Sequence, residues 1–157
     1  MSIASSLSPI KANIIRVIQR PSTSIGQLNN NVDQVISTTA NTPILFQTQT
    51  IGTNNMALTP NGIRMVRGGA YRLELNCFIN SLTAGQFLID INVNGVRVAR
   101  NASSNASTGI FSIYTDTIAT CLEGSIVTAS VTFPTAASGS IVGVAPLSAY
   151  LRAELIR

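Results

Sequence analysis

The chain has 157 residues, of which 45% are hydrophobic and only 10% are charged, where about 25% charged residues is typical of soluble domains. This length corresponds to one domain with a sizeable core. Histidine is absent, which excludes Ser-His-Asp and Cys-His triads and histidine-rich metal sites. Two carboxylates brought together in space could still serve a glycosidase. We expect no enzyme, no metal and no cofactor, and no membrane span because no run of 18 apolar residues occurs.

The N-terminal part of the chain is basic. Residues 1–32 carry three basic residues and no acidic residue, whereas residues 33–157 carry seven arginines and six carboxylates. Three spread charges are too few for a nucleic-acid footprint, so an arm that docks on an acidic protein surface and a solvated leader are the two alternatives. On the first interpretation, residues 1–41 are an N-terminal arm or linker. Its attachment residues are Ile10, Lys11, Ile14, Ile15, Arg16, Ile18 and Arg20.

The conformation of this arm has several alternatives. Ser8-Pro9 could begin a helix that Pro21 would end, but the β-branched residues between them suit an added strand equally well. Further along, apolar residues with 3-4-3 spacing would fit a short three-stranded coiled stalk. These residues are Ile25, Leu28, Val32 and Val35.

From Gly69 onward, apolar and polar residues alternate with a period of two, which predicts half-buried β-strands. The rows that we expect to face the core are Tyr71 to Ile79, Phe87 to Val93, Val127 to Phe133 and Ala149 to Leu155, taking every second residue. The runs "PILFQTQTI", "GIRMV" and "GIFSIYTDTIATC" are further candidate strands. Seven or more short strands separated by turn formers indicate an antiparallel sandwich, barrel or jelly roll.

The pair Asn94-Gly95 lies between two alternating runs and predicts a type I′ hairpin turn. A two-residue turn would pair residue 93 with 96 and residue 91 with 98, so that Val96 and Val98 return to the core face. Cys77 and Cys121 fall inside strand-like runs, and we expect buried thiols in preference to a disulfide.

Four segments in this order resemble the TNF-like jelly roll, which the globular heads of complement proteins share. In "NGIRMVRGGAYRLELNCFI", Gly69 and Tyr71 match the family's Gly-x-Tyr, and "FLIDINVNGVRVAR" is similar to the hairpin that follows. "IATCLEGSIVTASV" resembles the family's Leu-x-x-Gly-Asp-x-Val turn, with Cys121 in place of the Leu and Ser125 in place of the Asp. "AYLRAELI" falls at the family's last strand.

The resemblance implies a jelly-roll domain over residues 42–157, built as a ten-stranded, two-sheet antiparallel sandwich that forms a homotrimer. It places the strands at 70–79, 110–118 and 149–156 in the sheet that faces the threefold axis. Their outward rows mix apolar and charged residues, with Arg72 and Glu74 among the latter, and such a mixture suggests a buried partner surface. The expected trimer interface is Phe78, Tyr114, Tyr150, Arg152, Glu154 and Ile156.

TNF-like jelly rolls of this kind also occur in phage and virus decoration, spike and fibre-tip proteins. We therefore expect a capsid decoration protein on the virion exterior, with a major capsid protein or another virion protein as the partner of its arm. The alternative is a spike or fibre tip that binds a host receptor or glycan. It would use the loops at 80–86, 101–108 and 134–143, which are rich in Ser, Thr, Asn and Gly.

Overall fold

The alternating runs form β-strands throughout the part of the chain that this computed structural model describes, which is residues 24–36, 40–52, 55–133, 138–144 and 146–156. Thirteen strands lie in these ranges. They are β1 (Ile25–Asn29), β2 (Gln34–Ile36), β3 (Thr42–Pro43), β4 (Thr48–Ile51), β5 (Met56–Thr59), β6 (Gly62–Met65), β7 (Gly69–Ser81), β8 (Gly85–Val93), β9 (Val96–Asn105), β10 (Gly109–Cys121), β11 (Ile126–Thr132), β12 (Gly139–Ile141) and β13 (Tyr150–Ile156).

The strands pair antiparallel in two sheets. The first sheet has the order β2-β12-β7-β13-β1-β4, and β10 also pairs with β7. The second sheet has the order β5-β6-β11-β8-β9, and β3 pairs with β11. This arrangement confirms the predicted two-sheet jelly roll. The strand count exceeds the expected ten because β2, β3 and β12 are short pieces of two or three residues.

The core lies between the two sheets and is filled by the predicted inward rows. Tyr71, Leu73, Leu75, Cys77 and Ile79 of β7 are all 0% exposed. On the facing sheet, the ring of Phe87 lies edge-on to the rings of Phe133 and Phe111, with centroids 4.7 and 5.0 Å apart. Each fully buried side chain of this size stabilises the fold by about 1.5–3 kcal/mol.

The hairpin turn forms at Asn94-Gly95, but the register beyond it differs from the prediction. Val93 pairs with Val96, and a β-bulge then shifts the register so that Ile91 pairs with Ala99. The extra residue changes the face of every residue that follows. Ala99 therefore packs against the core, and the prediction that Val96 and Val98 return to it is wrong, since they are 67% and 37% exposed.

The coiled-stalk interpretation of residues 25–35 is also wrong. β1 pairs with β13 and β4, and β2 pairs with β12, so this stretch belongs to the first sheet. Gly26 and Leu28 face inward with the period of a strand, and a Cβ on Gly26 would lie 2.7 Å from the sulfur of Met56. The sandwich therefore begins before the predicted domain boundary at residue 41, and the part of the arm in residues 1–23 lies outside the described residues.

The run from residue 43 to 51 is divided between the two sheets. Thr42–Pro43 pairs with β11 of the second sheet, and Thr48–Ile51 pairs with β1 of the first. Between them, Ile44 and Phe46 insert into the core at 0% and 6% exposure. The segment predicted as one strand thus crosses from one layer of the sandwich to the other.

The two cysteines are free and far apart. Cys77 lies opposite Ile113 and Cys121 lies opposite Gly69 along the same strand pair. Eight residues of strand separate these positions, or about 26 Å at the usual rise. Both thiols are buried, and burial raises the pKa of each.

Candidate interaction face on the first sheet

The outward rows of β7, β10 and β13, with the neighbouring residues of β1, form a continuous surface that we call the outer face. Its register is fixed by strand pairing, which sets Tyr114 and Tyr150 on either side of Asn76, and Ile118 and Glu154 on either side of Arg72. Paired residues of antiparallel strands point to the same side of a sheet. The polar and apolar residues of these rows therefore lie side by side.

An ion-pair network crosses the middle of the outer face. The carboxylate of Glu74 lies 3.1 Å from Nε of Arg72 and 3.6 Å from Nη1 of Arg152. Arg72 also reaches Asp116 at 3.2 Å, and Arg152 reaches Glu154 at 3.2 Å. The network links three strands, and the hydrogen bond to Asp116 is the largest cause of the raised pKa of Arg72.

Glu74 is the hub of this network. Its side chain is only 12% exposed, against 48% for Arg72 and 33% for Arg152. It also accepts a 3.3 Å hydrogen bond from the hydroxyl of Tyr114. Burial, followed by the negative charge of Glu74, raises the pKa of Tyr114, and the same two causes act in the same order on Tyr150.

Large apolar side chains flank the network on the outer face. Ile118 is 69% exposed, Ile110 54%, Tyr114 40% and Ile156 36%. Phe78 is partly buried in the same row. Single exposed apolar residues are ordinary, but several on one sheet face form the kind of patch that marks an interaction surface.

The residues predicted to interact therefore lie together, although an interface between copies remains a prediction. Phe78, Tyr114, Tyr150, Arg152, Glu154 and Ile156 all belong to the outer face of the first sheet. Sequence reasoning missed Ile110, Ile118 and Asp116, which continue the β10 row. The period of two in "GIFSIYTDTIATC" already contains that signal. The predicted attachment residues, Ile10 to Arg20, lie outside the described residues.

The predicted turn residues have structural roles. The hydroxyl of Tyr71 donates a 2.5 Å hydrogen bond to the carbonyl of Arg67 and closes the turn before β7. A Cβ on Gly69 would lie 2.8 Å from a methyl group of Leu155, so only glycine fits there without a shift. Asn94 and Gly95 have φ angles of 51° and 79°, as a type I′ turn requires.

Ser125 takes up a polar role in the turn where the TNF-like pattern has an aspartate. It is 4% exposed. Its hydroxyl accepts hydrogen bonds from the backbone N–H of Leu122 at 3.1 Å and from Nδ2 of Asn94 at 3.3 Å. The serine thus joins the β10–β11 turn to the hairpin.

An ion pair between a buried carboxylate and an exposed arginine on the second sheet escaped the sequence analysis. Asp90 lies in an outward row but is only 2% exposed. Arg100 binds both of its carboxylate oxygens, at 2.6 and 2.7 Å, and this bond is the largest cause of the raised pKa of Arg100. Register across the hairpin sets the two residues opposite each other, so the pairing could have been read from the sequence only with the bulge known.

No cluster of three or more His, Cys, Asp or Glu side chains among the described residues could hold a metal ion. None of the described segments is a helix that is long and apolar enough to cross a membrane.

The fold and the outer face together define a TNF-like jelly roll. No family model and no curated protein matches the sequence. Among solved structures, the chain is similar to murine APRIL at pH 5.0, with a TM-score of 0.69 and 14% identity over 86% of this chain and 100% of that one. It is also similar to Eiger TNF from S. frugiperda, with a TM-score of 0.67 and 11% identity over 88% of this chain and 94% of that one. At these identities the likeness shows the fold alone.

Proposed function

We propose that this protein is a non-enzymatic structural protein that forms a homotrimer through the outer face and decorates the exterior of a virus capsid. The observation that carries the proposal is the exposure of Ile110 and Tyr114 on a face whose charges are already paired. Burial of such residues against a second copy would remove apolar area from water, which is the main driving force of association.

The ion-pair network suits a surface that becomes buried. An unpaired charge is costly to desolvate, whereas a charge that already has a partner is less so. Arg72 and Arg152 each contact two carboxylates within the same copy. A second copy would therefore have few partners to supply here, the exception being Nε of Arg152, which is buried without a hydrogen-bond partner among the described residues.

The attachment role is proposed for the N-terminal arm. Residues 1–23 carry Lys11, Arg16 and Arg20 and no acidic residue, and they join the sandwich at Ser24. In a trimer, three such arms would bind a shell together, and linkage multiplies weak contacts through effective concentration. The partner surface would be acidic and partly apolar.

The test separates assembly from attachment. A chain without residues 1–23 should retain the mass of a trimer by light scattering, because β1 begins at Ile25, and it should lose binding to emptied capsids in co-sedimentation. The variant Tyr150→Asp with Phe78→Asp should be monomeric and should bind weakly because only one arm remains. Full capsid binding by the shortened chain would refute the role of the arm.

A glycan- or receptor-binding tip is the second candidate. The end of the sandwich around the 82–84 and 106–108 turns carries Ser, Thr and Asn and no charged residue in those turns, and such groups can hydrogen-bond sugars. Part of the predicted loop surface is absent there, because residues 101–105 belong to β9. Residues 134–137 lie outside the described residues. A glycan array without hits would remove this candidate.

A further inference from the structure

Two grooves meet at Ile156, at one end of the outer face. The larger has a volume of about 560 Å³ and is lined by Arg72, Asp116, Thr117, Ile118, Glu154 and Ile156. The smaller has a volume of about 350 Å³ and is lined by Arg67, Gly68, Gly69, Leu155 and Ile156. They share Ile156 as a lining residue, and we call the two together the end groove.

The end groove combines charged side chains with exposed apolar ones and lacks a partner among the described residues. Ile118 on one wall is 69% exposed. Leu122 and Val66, at the same end of the sandwich, are 74% and 45% exposed. Side chains of this size leave a large apolar area in water when nothing covers them, so the groove has the character of a docking surface.

The charge beside the larger part of the end groove is negative, whereas Arg67 lines the smaller part. The network contains the carboxylates of Glu74, Asp116 and Glu154 and the guanidinium groups of Arg72 and Arg152. Three negative and two positive charges leave an excess of one negative charge. Asp116 and Glu154, which line the groove, could each accept a further cationic partner. A basic and apolar segment therefore complements this surface.

We propose that the N-terminal segment of the same chain, residues 10–20, occupies the end groove. The chain enters the sheet beside it, since the backbone N–H of Leu155 donates a 2.9 Å hydrogen bond to the carbonyl of Ser24, and Ile25 pairs with Glu154. The segment supplies apolar residues and three cations together. They are Ile10, Ile14, Ile15, Val17 and Ile18 with Lys11, Arg16 and Arg20.

The distances allow this docking within one chain. From β1 to β10 the sheet crosses β13 and β7, which amounts to three strand spacings or about 14 Å. The five residues between Ile18 and Ser24 can span about 17 Å when extended. Pro21 lies within this stretch, and proline is common where a chain turns. Ile18 and the residues before it therefore reach Ile118 without any second copy.

This inference goes beyond the proposed function and does not rest on it. The aromatic residues proposed for the trimer, Tyr114 and Phe78, lie further along the sheet than Ile118, toward Ile110. The docked segment would cover the end groove in each copy. The segment would have to leave the groove before it could bind a shell. Of the predicted trimer residues, Ile156 and Glu154 would contact the segment.

Disulfide trapping in the full chain tests the docking. Ile15→Cys with Ile118→Cys should form an intramolecular disulfide upon mild oxidation. Ile15→Cys with Ile110→Cys is the matched control, since Ile110 is also exposed on the outward row of β10 but lies eight residues, or about 26 Å, away. The yield should be at least ~10-fold higher for the first pair, because docking raises the effective concentration. Equal yields would overturn the proposal, and disulfides between chains would assign the groove to a neighbour's segment.

Trypsin cleavage provides a second and independent readout. Docking should protect the bonds after Lys11 and Arg16 in the chain without substitutions, both of which trypsin can cleave because neither precedes a proline. Ile118→Ser should speed their cleavage at least ~5-fold relative to Val96→Ser, a change at an exposed position of the second sheet, because cleavage follows the population of the undocked form. Both sites are exposed, so neither change threatens the fold. Identical cleavage rates in the two variants, with the trimer mass unchanged, would refute the docking while leaving the proposed assembly intact.

Discussion

The outward side of the second sheet pairs its polar groups within itself. Arg100 donates hydrogen bonds to both carboxylate oxygens of Asp90. Asn92 donates a hydrogen bond to Ser130 at 3.0 Å, and Thr132 donates one to Asn41. The outer face of the first sheet also pairs its charges, yet it leaves isoleucine and tyrosine side chains in water. Both faces thus pair charges within themselves, although Nε of Arg152 on the first sheet is buried without a hydrogen-bond partner in the described part of the chain. They differ in the apolar area that remains.

This difference shows which face is suited to a partner. The exposed valines of the second sheet, Val96 and Val98, belong to β9 at the edge of that sheet. The exposed isoleucines and tyrosine of the first sheet instead flank its central ion-pair network. A face that pairs its charges internally and still presents apolar residues gains from burial at a low desolvation cost.

The largest expected effect is on assembly. Tyr150→Asp combined with Phe78→Asp should convert the trimer into a monomer, because two unpaired carboxylates would enter the buried surface. As a control, Val96→Asp combined with Ala102→Asp places the same charges at exposed positions of the second sheet and should leave the trimer intact. Light scattering measures both, and dissociation of the control alone would reverse the contrast.

The Asp90–Arg100 pair should dominate stability on the other face. Arg100→Ala leaves the carboxylate of Asp90, which is 3% exposed, without its partner, and should lower the free energy of unfolding by about 2–3 kcal/mol. Arg97→Ala on the same strand is exposed and should change it by less than about 0.5 kcal/mol. Urea denaturation compares the two variants. Similar losses of unfolding free energy in the two variants would mean that the Asp90–Arg100 pair stabilises the fold no more than the exposed Arg97 does.

A smaller effect is expected at the hairpin turn. Gly95 has a φ of 79°, and a Cβ there would meet nothing within 4 Å, so the cost of Gly95→Ala is backbone strain alone, about 1–2 kcal/mol. Gly95→Asn is the control, because asparagine tolerates this conformation better. Thermal unfolding should rank the asparagine variant above the alanine variant, and the opposite order would contradict the type I′ assignment.

The smallest effect concerns the phenol of Tyr114. Its pKa is raised above the usual 10.0 in the folded protein, by burial first and then by Glu74. The folded protein therefore holds this proton more tightly than the unfolded chain, so the contribution to stability is present below about pH 10 and is lost as the pH rises further. Tyr114→Phe should flatten part of the fall in unfolding free energy between pH 9 and 11. An unchanged slope would show that Tyr114 does not contribute to it.

Strict alternation made most of the fold predictable from the sequence. The inward rows of β7, β8, β11 and β13 follow it, and β10 begins and ends at the predicted Gly109 and Cys121. The same alternation predicted which residues point outward, and these residues form much of the outer face. The role of residues 25–36 was not predictable, because Leu28 fits both the 3-4-3 apolar spacing of a coiled stalk and the alternation of a strand. The bulge beside Ile91 left no local signal, and it moved Val98 from the core to the surface.

The mass of the full chain in solution tests the central claim most directly. Multi-angle light scattering on the protein without substitutions should give the mass of three 16.5 kDa chains across a range of concentrations. A mass of one chain at all concentrations would contradict the account, because the apolar residues of the outer face would then have no second copy to bury them.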